Sequence, residues 1–109
     1  MYASVLTFQI QPGQRDQFVR LAQEHFVPEL KRFKGMQRAY VMTDPATDKG
    51  VRVAVYETEA DARALETSDL YRQLAAQYIL PIIVPESMES HVYEVSIHAA
   101  LDEAREMGA

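Results

Sequence analysis

Apolar residues recur along this chain with a period that switches from two to about 3.6 and back, twice over. That switching limits the fold more than any other feature. Tyr2 to Gln11 alternates, with Tyr2, Leu6, Phe8 and Ile10 on one face, which predicts a strand. Pro12-Gly13 then punctuates the chain. From Gln14 to Phe33, residues Phe18, Leu21, Ala22, Phe26, Leu30 and Phe33 fall three and four apart, which predicts an amphipathic helix. Pro28 lies inside it and deletes one hydrogen bond, so a kink is expected near His25. Gly35 stops the helix, with Lys31, Arg32 and Lys34 complementing its dipole.

Met36 to Thr43 and Val51 to Tyr56 read as the second and third strands, joined by the polar segment from Asp44 to Gly50. On the second strand, Met36, Tyr40 and Met42 are expected on one side and Ala39 and Val41 on the other. Thr58-Glu-Ala-Asp61 is a capping-box-like start for a second helix, interrupted at Ser68-Asp69. Tyr71, Leu74, Ala75, Tyr78 and Ile82 form its stripe, and Pro81 ends it near Leu80. Ile82 to Pro85 reads as an apolar loop and Met88 to Ile97 as the last strand, with His91, Tyr93, Val95 and Ile97 on one face. No internal repeat or linker is read. A single domain over residues 2–98 is expected, followed by an Ala- and Glu-rich tail or short helix over 99–109.

The order βαββαβ gives an α+β ferredoxin-like plait, an antiparallel sheet with both helices on one face. Helices cover only one side, yet several strands are apolar on both. A second copy is the most economical cover, so a homodimer forming a dimeric α/β barrel is expected.

Composition removes several function classes. A net charge of −5 argues against a nucleic-acid partner, which favours a basic surface. The absence of cysteine excludes disulfides, thiolate nucleophiles and Cys-based metal sites. Three scattered histidines make no metal-ligand spacing, so no metal is expected. No apolar run approaches a membrane span and no leader pattern is read, so no membrane partner and a cytoplasmic location are expected. There is no GxSxG elbow and no glycine-rich phosphate cradle.

His25 borders the apolar stripe of the first helix, with Glu29 four residues on. It reads either as a pocket-edge catalytic base or as a partly solvated His–Glu pair. His91 alternates in phase with Tyr93 and Val95, which suits the pocket, the dimer barrel or plain packing. His98 falls at the end of the last strand, on the surface. The chain holds six tyrosines and no tryptophan. Tyr71 and Tyr78 align on the inner face of the second helix, Tyr40 and Tyr56 sit on strands, and Arg38 is in phase with Tyr40. This set either lines an apolar pocket for an aromatic or hydrophobic small molecule or forms a tyrosine-rich core.

The segments Ile10-Gln-Pro-Gly-Gln14, Val27-Pro28, Leu30-Lys31, Gly35, Tyr40, Val55-Tyr-Glu-Thr-Glu-Ala60 and Ser68-Asp-Leu-Tyr71 come in a familiar order. Over Tyr2 to Ile97 the chain resembles the dimeric α/β-barrel superfamily, in particular domains like the antibiotic-biosynthesis and quinol monooxygenases. The haem-degrading relatives use an asparagine, a tryptophan and a histidine at places that fall on Leu6, Leu65 and Ala75. A histidine used by cofactor-free relatives falls on Leu70. The resemblance therefore implies no haem and no other cofactor. It implies a cofactor-independent monooxygenase, for which the helix-edge position of His25 makes that residue the candidate base, or else a non-catalytic small-molecule-binding or stress-associated dimeric barrel.

Overall fold

In the computed structural model, residues 1–99 are described; the expected tail over 99–109 falls almost wholly outside them. Strands β1 (Tyr2–Ile10), β2 (Met36–Thr43), β3 (Lys49–Tyr56) and β4 (Ile83–Glu94) form one sheet in the order β2-β3-β1-β4. Every pairing is antiparallel. Two helical arms connect the strands, so the fold is the expected α+β ferredoxin-like plait. The first arm is α1 (Arg15–Leu21), a π-turn (Ala22–Phe26) and α2 (Val27–Leu30). The second is α3 (Glu59–Thr67), α4 (Asp69–Leu74), a π-turn (Ala75–Ile79) and a 3-10 turn (Leu80–Ile82). No helix among the described residues is long and apolar enough to cross a membrane.

The kink expected near His25 takes the form of the first π-turn. Pro28 offers no N–H and its ring crowds the preceding turn, so that turn widens and the Val27 N–H reaches back to the Ala22 carbonyl. The second arm does the same before Pro81, where the Leu80 N–H reaches the Ala75 carbonyl. The two arms share residues as well as shape. Leu21-Ala-Gln-Glu-His-Phe-Val-Pro28 recurs as Leu74-Ala-Ala-Gln-Tyr-Ile-Leu-Pro81. The chain thus does carry a short internal repeat, too degenerate at its polar positions to stand out without the shared geometry.

The helix break at Ser68 is as expected. Its extended backbone ends α3, and its hydroxyl accepts the Tyr71 N–H at 3.2 Å to start α4. Thr58 caps α3 in the same way, through the Asp61 N–H. Gly35, at φ 77°, ends the turn after α2, where a Cβ would run into the Asp61 side chain.

Two strand expectations are corrected. The last strand spans Ile83–Glu94 rather than Met88 to Ile97. Ile83 and Val84 pair with Ile10 and Gln9, and the residues from Pro85 to Met88 form a bulge opposite Phe8, with Met88 packed against the core. Ser87 satisfies the bulge by accepting the Gln9 N–H and donating to the Val84 carbonyl. Pro85, unable to donate, sits in that bulge. A register shift between Met36 and Arg38 likewise turns Met36 inward, onto Tyr56 and Leu30, and away from Tyr40 and Met42.

The core lies between sheet and helices in two clusters, one around Phe8, Ile10, Phe18 and Phe26 and one around Leu30, Tyr56 and Leu65. The opposite sheet face presents Val5, Val51, Val53 and Val55 flanked by Tyr40, Met42, His91 and Tyr93. Tyr40, Met42 and Tyr93 are about half exposed there.

Candidate functional site

Between the sheet and the two π-turns lies a cavity of about 60 Å³. Leu6 and Phe8 form its floor, and Phe18, Ala22 and Phe26 come from the first arm. Tyr71, Ala75 and Ile79 come from the second, and Ile83 and Met88 from β4. The arms supply matched positions of the repeat, Phe18 with Tyr71, Ala22 with Ala75 and Phe26 with Ile79. The two alanines keep the arms from filling the space. Ala22, Leu30 and Val41 also line an open groove of about 510 Å³ between the first arm and β2, next to the cavity.

One charged side chain, Arg52, borders this almost wholly apolar cavity. Arg52 is only 3% exposed, on the helix-facing side of β3. Its Nη1 donates to the Tyr71 hydroxyl at 2.7 Å, and its Nη2 donates to Ser4 Oγ and Glu66 Oε1, each at 2.7 Å. Ser4 in turn donates to the same Glu66 oxygen at 2.6 Å. The guanidinium carbon lies 5.5 Å from the Tyr71 ring centre. Burial works against the charge on Arg52, but Tyr71 and Glu66 outweigh it and hold the guanidinium pKa above its ordinary value. Burial also works against the Glu66 carboxylate, yet the Ser4 hydroxyl and Arg52 bring its pKa below the ordinary value. Both groups therefore stay ionised as a hydrogen-bonded pair. Arg52 Nε is buried without a partner.

Of the residues expected at the pocket, only Tyr71 lines this cavity. Tyr56 lies in the neighbouring cluster at 0% exposure, with its hydroxyl unpartnered and its pKa pushed up to about 12 by burial. His25 does not meet Glu29, which lies 3.7 Å from Arg32 instead. The π-turn swings the imidazole onto the Tyr78 ring, centroids 3.7 Å apart, with Glu24 at 3.9 Å. That stack sits where the arms meet, next to cavity residues Ala22 and Phe26 in the chain but outside the lining. Arg38 and Tyr40 pair in register with Val55 and Val53, which puts their side chains on the sheet face away from the helices. His91 pairs with Val5 and lies 5.9 Å from Tyr93, so it too is on the sheet face away from the helices and not in the helix-side cavity.

Arg52 and Glu66 are absent from the sequence reading. The strand Val51-Arg-Val-Ala-Val-Tyr56 suggests valines inward and arginine outward, and the fold reverses it. The available signal was phase, since Arg52 shares a face with Ala54 and Tyr56.

A family model described as antibiotic biosynthesis monooxygenase matches residues 1–77. Comparison with curated protein sequences gives no match. Among solved structures, an antibiotic biosynthesis monooxygenase-type protein from Bordetella bronchiseptica superposes with a TM-score of 0.74 at 13% identity, over 88% of this chain and 97% of that one. Rv0793 from Mycobacterium tuberculosis gives 0.70 at 15% identity, over 91% and 98%. SnoaB from Streptomyces nogalater, a cofactor-independent oxygenase solved as a mutant, gives 0.71 at 14%, over 89% and 94%. These likenesses show the shared fold, and the match over most of the described chain shows that it belongs to the antibiotic biosynthesis monooxygenase family.

Proposed function

We propose that this chain is a homodimeric oxygenase that takes a small aromatic molecule into the helix–sheet cavity and oxidises it with molecular oxygen, without a cofactor. The observation that carries the reading is the one polar end of the lining, Arg52 bonded to Tyr71, beside an almost wholly apolar cavity. An apolar wall takes an aromatic ring and the polar end fixes its oxygen. An electron-rich phenol or quinol that loses a proton there can reduce oxygen directly. The protein need then supply only binding, exclusion of water and a proton acceptor. Arg52 and Tyr71 hold the ligand oxygen and stabilise charge developing on it. His25, beside cavity residue Phe26 at the rim, takes the proton. The description of SnoaB as a cofactor-independent oxygenase supports this chemistry on this fold. Arg38, Tyr40 and His91 belong to the dimer, at the sheet face that a second copy covers.

A second reading is favoured by one observation: among the described residues no imidazole lines the cavity. On that reading the barrel binds the aromatic molecule and does no chemistry. Oxygen consumption with a panel of model quinols decides between them. Uptake that saturates with quinol and falls in Arg52→Lys supports the oxygenase. Saturable quinol binding without uptake supports the binding protein.

A further inference from the structure

The helix layer stops short of β2. Ala39 and Val41 pair with Ala54 and Arg52, so they lie on the helix-facing side of the sheet. On β3 that side is closed, with Ala54 at 0% and Arg52 at 3% exposure, whereas Val41 is 38% exposed. Across from it on α1, Val19 is 44% exposed. Between them lies the groove of about 510 Å³, with Ala22, Val27 and Leu30 along its first-arm wall. Lys31 and, from the edge strand, Arg38 border it, and no acidic residue does so among the described residues. Both cations are exposed and neither joins an ion pair among the described residues. The groove therefore suits an apolar strip with negative charge beside it.

Residues 100–109, outside the described residues, carry that pattern in sequence. Ala100, Leu101, Ala104 and Met107 recur at helical spacing, and Asp102, Glu103 and Glu106 fall on the other side, with Arg105 the one base. The route favours the segment of a second copy. β4 and β2 are opposite edges of the sheet, so the chain leaving β4 has three strand spacings, about 14 Å, to cross before its own groove. All neighbours in the order β2-β3-β1-β4 are antiparallel, so β2 and β4 run in opposite directions. When two valine faces meet, β2 and β4 are the free edges of each sheet. The second copy's β4 then continues the antiparallel order beside β2 and closes the barrel. The chain that follows it leaves at the rim of the groove.

We propose that residues 100–109 of one copy dock in the groove between the first arm and β2 of the other. Leu101, Ala104 and Met107 lie against the apolar wall, and the acidic side chains face Lys31 and Arg38. The proposal rests on the homodimer reading above and adds a second contact between the copies. Ala22, Leu30 and Val41 line both the groove and the cavity, so the docked segment covers the cavity's first-arm side. Each site is then completed by the other chain.

The chain has no cysteine, so an introduced pair reports proximity without background. Ala39→Cys combined with Ala104→Cys in the full chain, oxidised with copper–phenanthroline, should give a covalent species of twice the chain mass. Peptide mass mapping should place its disulfide between positions 39 and 104. That link should form about tenfold faster than one between Ala104→Cys and Arg63→Cys, an exposed control on α3, because docking raises the local concentration. Lys31→Glu should slow it by about two- to fivefold, the effect of one exposed charge pair. An unchanged rate in Lys31→Glu overturns the charge pairing. The same link within one chain, in a protein that light scattering shows to be a dimer, overturns the exchange and leaves the dimer reading standing. A dimer whose 39–104 link forms no faster than the control overturns the docking, again without touching the dimer. A monomer in light scattering overturns both.

Discussion

The His25 imidazole lies flat on the Tyr78 phenol ring, centroids 3.7 Å apart and planes 5° from parallel. Each residue holds the fourth place of its π-turn, so the stack joins the same position of the two repeats. His25→Ala should therefore cost about 1–2 kcal/mol in urea unfolding, a stacked pair plus its partial burial. His25→Phe keeps a ring there and should recover most of that loss. The same pair of variants reads the proposed proton transfer. If His25 accepts the proton, His25→Phe lowers oxygen uptake with quinols by roughly 10²-fold while remaining folded. Unchanged uptake would assign His25 to packing alone.

Tyr56 gives a prediction with two signs. Its hydroxyl is fully buried and unpartnered, so Tyr56→Phe should be neutral or stabilising by about 1 kcal/mol at neutral pH. At high pH the native protein is penalised, because Tyr56 titrates at about 12 when folded and near 10.0 when unfolded. The unfolded chain then loses this proton first. Stability present in full below pH 10 drains away as pH rises toward 12, by roughly 2–3 kcal/mol. Denaturation curves at rising pH should show Tyr56→Phe losing less than the parent.

The Arg52–Glu66 pair works at the acid end. Glu66 has a lower pKa folded than unfolded, so its contribution is complete above about pH 4.5 and fades as pH falls through the folded value. Glu66→Gln should be less stable at neutral pH, and its stability should change less on acidification than that of the parent. Arg52→Met is the harsher change. It leaves Glu66 and Ser4 without their partner and should cost about 3 kcal/mol or more. A cost under about 1 kcal/mol would mean that the pair is open to water.

The valine face predicts assembly. Val5, Val51, Val53 and Val55 form an apolar strip that the helices do not cover. Light scattering at micromolar concentration should give twice the chain mass. Val53→Asp, at the middle of the strip, should give a folded monomer with unchanged far-ultraviolet circular dichroism. A parent chain that runs as a monomer would remove the dimer from the proposal.

The sequence by itself determined the order of strands and helices, because period and punctuation are local. Pro12-Gly13, Gly35 and the caps at Thr58 and Ser68 mark boundaries whatever surrounds them. It also carried the residues of the family resemblance, and with them the fold. Facing was decided elsewhere. Val51, Val53 and Val55 alternate with Arg52, Ala54 and Tyr56, and alternation by itself favours the valines as the set that meets the helices. Only the pairing of β3 with β1 under two helical arms turned Arg52 inward and left the valines bare. Likewise Glu29 lies at helical spacing from His25, but that spacing holds only in an unbroken helix. The π-turn before Pro28 moved the imidazole to Tyr78, a partner half the chain away. Local pattern fixes where elements begin and end, while the identity of a buried charge's partners is a property of packed surfaces far apart in sequence.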